Sequence, residues 1–135
     1  SPTDRHPDHG RAGKMVAEAA FYSGLLKIET SYRGNSQMKW RPKSVYHYIQ
    51  DYYLKPDFIV DITPYINDKM ESIKAFSSQF YDENSSEPET PISGKDFFDF
   101  IEARAMQFGR LIGVKYGEGF IQSRPIGVDD ITKLL

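Results

Sequence analysis

With 135 residues, 39% of them hydrophobic and 27% charged, the chain has about one domain's length and the composition of a soluble globular protein. Seventeen Lys and Arg against nineteen Asp and Glu leave a net charge of −2, so charge alone predicts neither a nucleic-acid partner nor an anionic membrane. Cysteine is absent, which excludes disulfides, thiolate catalysis and Cys-type zinc sites; a zinc site would need His and carboxylates.

No stretch approaches the roughly 18 apolar residues of a membrane span. The opening string SPTDRHPDHG is polar and holds two of the three histidines, unlike a signal peptide. The cytoplasm is the expected compartment. The chain starts at Ser1, and its densest chemistry falls in the first nine positions, which raises the expectation of a segment upstream.

From Pro7 a helix is expected, with Ala12, Met15, Ala19, Tyr22 and Leu26 three or four apart. Proline suits its first turn, where a missing N–H costs nothing. Gly24 and a polar loop over residues 29–41 should end it. Two strand-like runs follow, SVYHYIQ over 44–50 and DFIVDI over 57–62. The second, between Pro56 and Pro64, has the apolar character of a buried strand. Thr63-Pro64 is expected to cap a helix whose apolar stripe is Ile66, Met70, Ile73 and Phe80.

Residues 82–92 are acidic and proline-bearing, hence a loop. Ser93-Gly94-Lys95-Asp96 fits a capping box. Phe98, Ile101, Ala105, Phe108 and Ile112 follow at 3,4,3,4 spacing and should face a core. The tail from Lys115 carries strand-like and turn-like pieces around Gly117, Gly119, Pro125 and Gly127. The pattern is α/β in a single domain over 1–135, but two strands make a poor sheet for three amphipathic helices.

The chemistry concentrates in Arg5-His6-Pro7-Asp8-His9-Gly10. In one interpretation His9 is a neutral zinc ligand and His6, one turn earlier, works on the substrate; residues three apart at a helix start can share a cleft. In another, both histidines bind metal. In a third, they belong to a polar tail and merely cap a helix or meet water.

The string DRHPDHG resembles the second signature motif of the LmbE/PIG-L family of zinc-dependent N-deacetylases. The resemblance continues through KSVYHYIQ, KPDFIVDIT, KMESIKAFSSQFY, EPETPIS, ARAMQFGRLIGVKYGEGF and RPIGVDD, nearly the whole chain. These strings are similar to the C-terminal portion of the bacillithiol-biosynthesis branch, which removes acetate from N-acetylglucosaminyl malate. The resemblance implies a Rossmann-like α/β fold, of which this chain supplies the C-terminal part without the N-terminal parallel strands, and a homo-oligomer in the cytoplasm.

It also implies roles. His9 is the zinc ligand, His6 the acid or electrostatic stabiliser toward the leaving amine, and Asp8 the residue that orients His6. Arg5 is a contact for the oxyanion or an acidic substrate, and so both a catalytic and a substrate-binding candidate. Arg124 is a candidate for the malate carboxylates, since arginine binds carboxylates bidentately, with a structural or subunit-contact role as its alternative. The family's remaining zinc ligands and its general base lie in an H-P-D-D string that these residues do not contain. The chain is therefore expected to be inactive alone.

Other motifs carry less. Gly117-Glu118-Gly119 is followed by Gln122 and lacks a dinucleotide loop's context. There is no G-x-S-x-G elbow. Tyr46, Tyr48, Tyr52 and Tyr53 could stack bases, but packing suits a negatively charged chain better. Asp57 and Asp61 are expected to end their strand, and Phe97, Phe98, Phe100 and Phe108 to form core or oligomer interface. The rival activities are deacetylation of another N-acetylated sugar such as a chitooligosaccharide, and a non-catalytic binding or assembly module with a vestigial HPDH.

Overall fold

The computed structural model describes residues 1–76, 90, 92–94 and 96–135. Its elements are α1 (Pro7–Tyr22), β1 (Thr30–Tyr32), β2 (Asn35–Gln37), β3 (Tyr46–Tyr48), β4 (Phe58–Asp61), α2 (Ile66–Lys74), α3 (Phe97–Leu111) and β5 (Gly117–Gln122). Short 3-10 turns cover Thr63–Tyr65 and Ile131–Lys133. The chain divides into two compact units, one of Ser1–Phe58 with Phe120–Asp129, the other of Ile59–Gly119 with Asp130–Leu135.

In the first unit, Pro7 opens α1 as its first residue and His6 is the N-cap, with extended backbone angles. The half-buried face of α1 is Gly10, Gly13, Ala17 and Ala20, at spacings of three or four. A Cβ on Gly13 would stand 2.9 Å from the Ser1 carbonyl oxygen and 3.5 Å from His47 Nδ1. Backbone approaches this side closely, which only small residues permit. The apolar face expected to turn inward is instead exposed: Met15 is 63% and Tyr22 49% accessible, and no α1 residue is buried.

The expected loop over residues 29–41 contains a hairpin. Strands β1 and β2 pair antiparallel, Thr30 with Gln37 and Tyr32 with Asn35. Arg33 and Gly34 turn between them at φ of 51° and 80°, the two left-handed residues of a type I′ turn. Periodicity could not show this hairpin because all its strand residues are exposed. Strand β3 pairs antiparallel with β5, Tyr46 opposite Gln122 and Tyr48 opposite Phe120. Phe58 stacks on Phe120 at 5.2 Å and meets Tyr46 edge-on at 5.3 Å. Tyr46, Tyr48, Tyr52 and Tyr53 are each about half exposed or more.

The sheet order is β3-β5-β4, so the glycine-rich tail supplies a middle strand to the two runs expected from the sequence. In the second unit, the β4 end is bound to β5 by the Ile62 N–H donating to the Tyr116 carbonyl at 3.0 Å. Thr63 is not a helix cap, contrary to the sequence expectation. Its hydroxyl accepts from the Tyr116 N–H at 3.1 Å, and its own N–H donates to Asp61 Oδ1 at 2.8 Å. Asp61 therefore ends β4, as expected of it. These bonds to Thr63 hold its carboxyl below the ordinary value. Helix α2 half-buries Ile66, Met70 and Ile73; Phe80 and most of the acidic loop lie outside the described residues.

The capping box at Ser93 does not form. Helix α3 begins four residues later at Phe97, behind an Asp96 that makes no side-chain cap. Ser93 Oγ instead accepts from the Thr90 N–H at 2.7 Å. Ala105 and Phe108 of α3 are buried, at 3% and 2% exposure, and Ile62, Ala105 and Tyr116 form a core joined by Ile66. Phe100, by contrast, is 42% exposed. The helix stops in a Schellman motif: the Gly113 N–H donates to Arg110, the Val114 N–H to Gly109, and Gly113 takes φ 77°. That turn brings Gly117 of β5 against α3, where a Cβ would meet Gly109 N at 2.8 Å and Phe108 C at 3.0 Å. Among the described residues no helix is long and apolar enough to cross a membrane.

Candidate active site

The N-terminus of α1 brings His6 and His9 together, with ring centroids 5.2 Å apart and planes at 35°. The cause is local. His6 sits at the N-cap and His9 one turn on, its N–H donating to the His6 carbonyl at 3.1 Å. A helix start also presents unpaired N–H groups and a positive dipole end.

The two imidazoles have different partners. His6 Nδ1 accepts from the Asp8 backbone N–H at 3.3 Å, so in the neutral ring the proton sits on Nε2. His9 Nδ1 lies 2.6 Å from Asp4 Oδ2. A carboxylate only accepts, so in the neutral ring His9 carries its proton on Nδ1 and leaves Nε2 bare. In their neutral forms the pair thus holds one N–H able to donate a hydrogen bond and one bare nitrogen able to meet a cation.

Asp4 is the residue that motif reasoning missed. Its side chain is fully buried, and its Oδ1 accepts from the backbone N–H of Arg5 at 2.8 Å, Asp51 at 3.1 Å and Tyr52 at 3.4 Å. Burial pushes its carboxyl up, but the bonds from His9 and these N–H groups outweigh burial and hold it below the ordinary value. Asp51 also pairs with Arg5, Oδ2 to Nε at 3.1 Å. The only sequence cue to Asp4 is an acid two residues before the first histidine. Nothing in the sequence points to Asp51, 46 residues beyond Arg5.

Asp8 stands differently from the role expected of it. Its carboxylate is 3.8 Å from His6 Nδ1, beyond hydrogen-bond range, and pairs with Arg11 at 3.2 Å. It is the Asp8 backbone that touches His6. Arg124 lies past the end of β5 and donates to the Lys43 carbonyl, not to any residue of the motif. It lines a cleft of 320 Å³ with Ser44, Tyr46, Gln122 and Ile126. His47, in β3, is held below its ordinary pKa by burial.

Of this pair, His9 Nε2 is the ring nitrogen that would meet a zinc ion. Among the described residues no group of three or more His, Cys, Asp or Glu could hold a metal ion, whereas a catalytic zinc takes about three protein ligands.

No protein-family model matches the chain. It is 28% identical over 118 residues to the diacetylchitobiose deacetylase of Thermococcus kodakarensis, covering 87% of this chain and 40% of that protein. The chain thus spans well under half the length of that curated relative. It overlays the conserved protein TT1542 of Thermus thermophilus with a TM-score of 0.76 at 24% identity, over 95% of this chain and 51% of that one. It also overlays the N,N′-diacetylchitobiose deacetylase of Pyrococcus horikoshii, bound to its inhibitor, with a TM-score of 0.54 at 29% identity, over 90% and 42% of the two chains. The chain therefore has a mixed α/β fold shared with TT1542 and with a solved deacetylase, and the two relatives named for an activity are deacetylases.

Proposed function

We propose that this chain is the C-terminal part of a zinc-dependent N-deacetylase of the LmbE/PIG-L type, which hydrolyses the N-acetyl group of an N-acetylglucosamine conjugate. The observation that carries this reading is the His6–His9 pair, with a backbone donor on one Nδ1 and a carboxylate on the other, at a helix start in a chain similar to a sugar deacetylase. His9 contributes one zinc ligand, and the other ligands and the general base come from residues outside these 135. When bound, zinc supplies Lewis-acid polarisation of the acetyl carbonyl and an acidified water.

The chain's own residues serve the other end of the reaction. Water adds to the acetyl carbon, the C–N bond breaks, and acetate leaves. The proton taken from the water passes to the departing sugar amine, and His6 Nε2–H donates a hydrogen bond to the developing charge as its electrostatic stabiliser. Arg5, steadied by Asp51, places positive charge for a developing oxyanion or an acidic substituent. The 135 residues alone lack a base and are inactive. The enzyme acts in the cytoplasm as a homo-oligomer.

For the substrate we favour N-acetylglucosaminyl malate, supported by the sequence strings that resemble that branch and by Arg124, a cation beside a cleft. A second reading is a chitooligosaccharide, supported by two relatives named for diacetylchitobiose. Acetate release by the whole enzyme on both compounds separates them: turnover of the malate conjugate supports the first, turnover of diacetylchitobiose alone supports the second. Release from neither sinks both and favours a non-catalytic module. In the whole enzyme, His9→Ala should empty the zinc site, and His6→Ala should slow turnover about 10²–10⁴-fold with zinc retained.

A further inference from the structure

We infer that Asp4 is the positioning residue that locks His9 in the Nδ1–H form and so presents Nε2 to zinc. The inference rests on the deacetylase reading for its purpose, but its geometry stands apart from it. Asp8, the carboxylate inside the H-P-D-H string, cannot serve His9: it is 69% exposed and engaged by Arg11. Asp4 is fully buried and 2.6 Å from His9 Nδ1.

Its two oxygens divide the work. Oδ1 takes the N–H groups of Arg5, Asp51 and Tyr52, which fix the carboxylate plane and tie the segment before α1 to the loop after β3. Oδ2 is then directed at the imidazole. Three backbone donors on one oxygen also stabilise the ionised form, which can only accept. In the neutral ring the proton therefore resides on His9 Nδ1, and the lone pair on Nε2. A carboxylate behind a ligating imidazole fixes ring orientation and raises the basicity of the opposite nitrogen; losing such a partner costs about 10–100-fold in metal affinity. His6, one turn away, has a backbone donor at the same ring position and takes the reverse form.

The test is NMR of the histidine ring nitrogens in the whole enzyme, stripped of metal and then titrated with zinc chloride. His9 should show a protonated Nδ1 and a bare Nε2 in the wild type and in Asp8→Asn. Asp4→Asn keeps Oδ1 for the three backbone donors and sets an NH2 donor against His9 Nδ1, so His9 should shift toward the Nε2–H form. The zinc-induced shift of Nε2 should then need about 10–100-fold more metal. A bare Nδ1 on wild-type His9, or an Asp4→Asn spectrum identical to wild type, overturns the inference. The wild-type spectrum decides even if the variant fails to fold. A locked His9 in a whole enzyme that keeps its zinc after His9→Ala overturns the zinc-ligand reading of the proposed function instead.

Discussion

Helices α1 and α3 carry the same kind of apolar spacing, yet only α3 covers its apolar face. In α3 the 3,4,3,4 series includes buried Ala105 and Phe108. In α1 the equivalent series leaves Met15 and Tyr22 in solvent, while Gly10, Gly13, Ala17 and Ala20 turn inward. Spacing shows that a helix forms, because either face of a three-four pattern satisfies it. Which face packs depends on how closely neighbouring backbone approaches, and that is a tertiary fact. The α1 face that packs uses small residues, and it leaves the chemistry-bearing first turn anchored by Asp4 rather than by side-chain burial.

The sharpest way to break this comparison is a matched pair of truncations. Phe108→Ala should cost about 3–5 kcal/mol, since a 2% exposed ring leaves a cavity among α3's neighbours. Met15→Ala, at 63% exposure, should stay within about 0.5 kcal/mol. Thermal or urea denaturation of both variants measures the difference. Equal losses would mean that the α1 face is covered in solution.

A smaller effect probes the contact that seats α3. Gly117→Ala places a methyl 2.7 Å from Ile59 Cγ2 and 2.8 Å from the Gly109 nitrogen. Overpacking of this kind costs about 1–3 kcal/mol, because the obstruction at Gly109 is backbone and cannot rotate away. Hydrogen exchange should show the loss in the α3 amides more than in those of α1.

Much of this was legible in the sequence. Pro7 marked the start of α1 because a proline fits only a helix's first turn, and β4 was legible between its two prolines. The β1–β2 hairpin was not, since exposed strands lack apolar alternation and its turn rests on Arg33, an unusual residue for positive φ. The caps assigned to Thr63 and Ser93 failed for one reason: each hydroxyl found a nearer partner, Tyr116 or Thr90. In the site, the histidine pair followed from spacing alone. Asp4 did not, because the motif offers Asp8 as the nearer carboxylate. Only the backbone of Asp51 and Tyr52, brought up from the far side of β3, shows which acid is buried.

The remaining prediction concerns pH and returns to the packed side of α1. His47 faces Gly13 of that helix, and burial lowers its pKa from 6.5. The folded state thus binds fewer protons at this ring than the unfolded state does. Stability from this group is complete above about pH 6.5 and falls as pH drops from there through the folded value, because protonation favours the unfolded chain. His47→Gln removes the titration and keeps a polar side chain. The urea midpoint of the wild type should therefore decline relative to the variant as pH falls below 6.5, while His6 and His9, common to both chains, cancel in the comparison. A difference that stays constant with pH would show that His47 is solvated in both states, and that the small-residue face of α1 does not close over it.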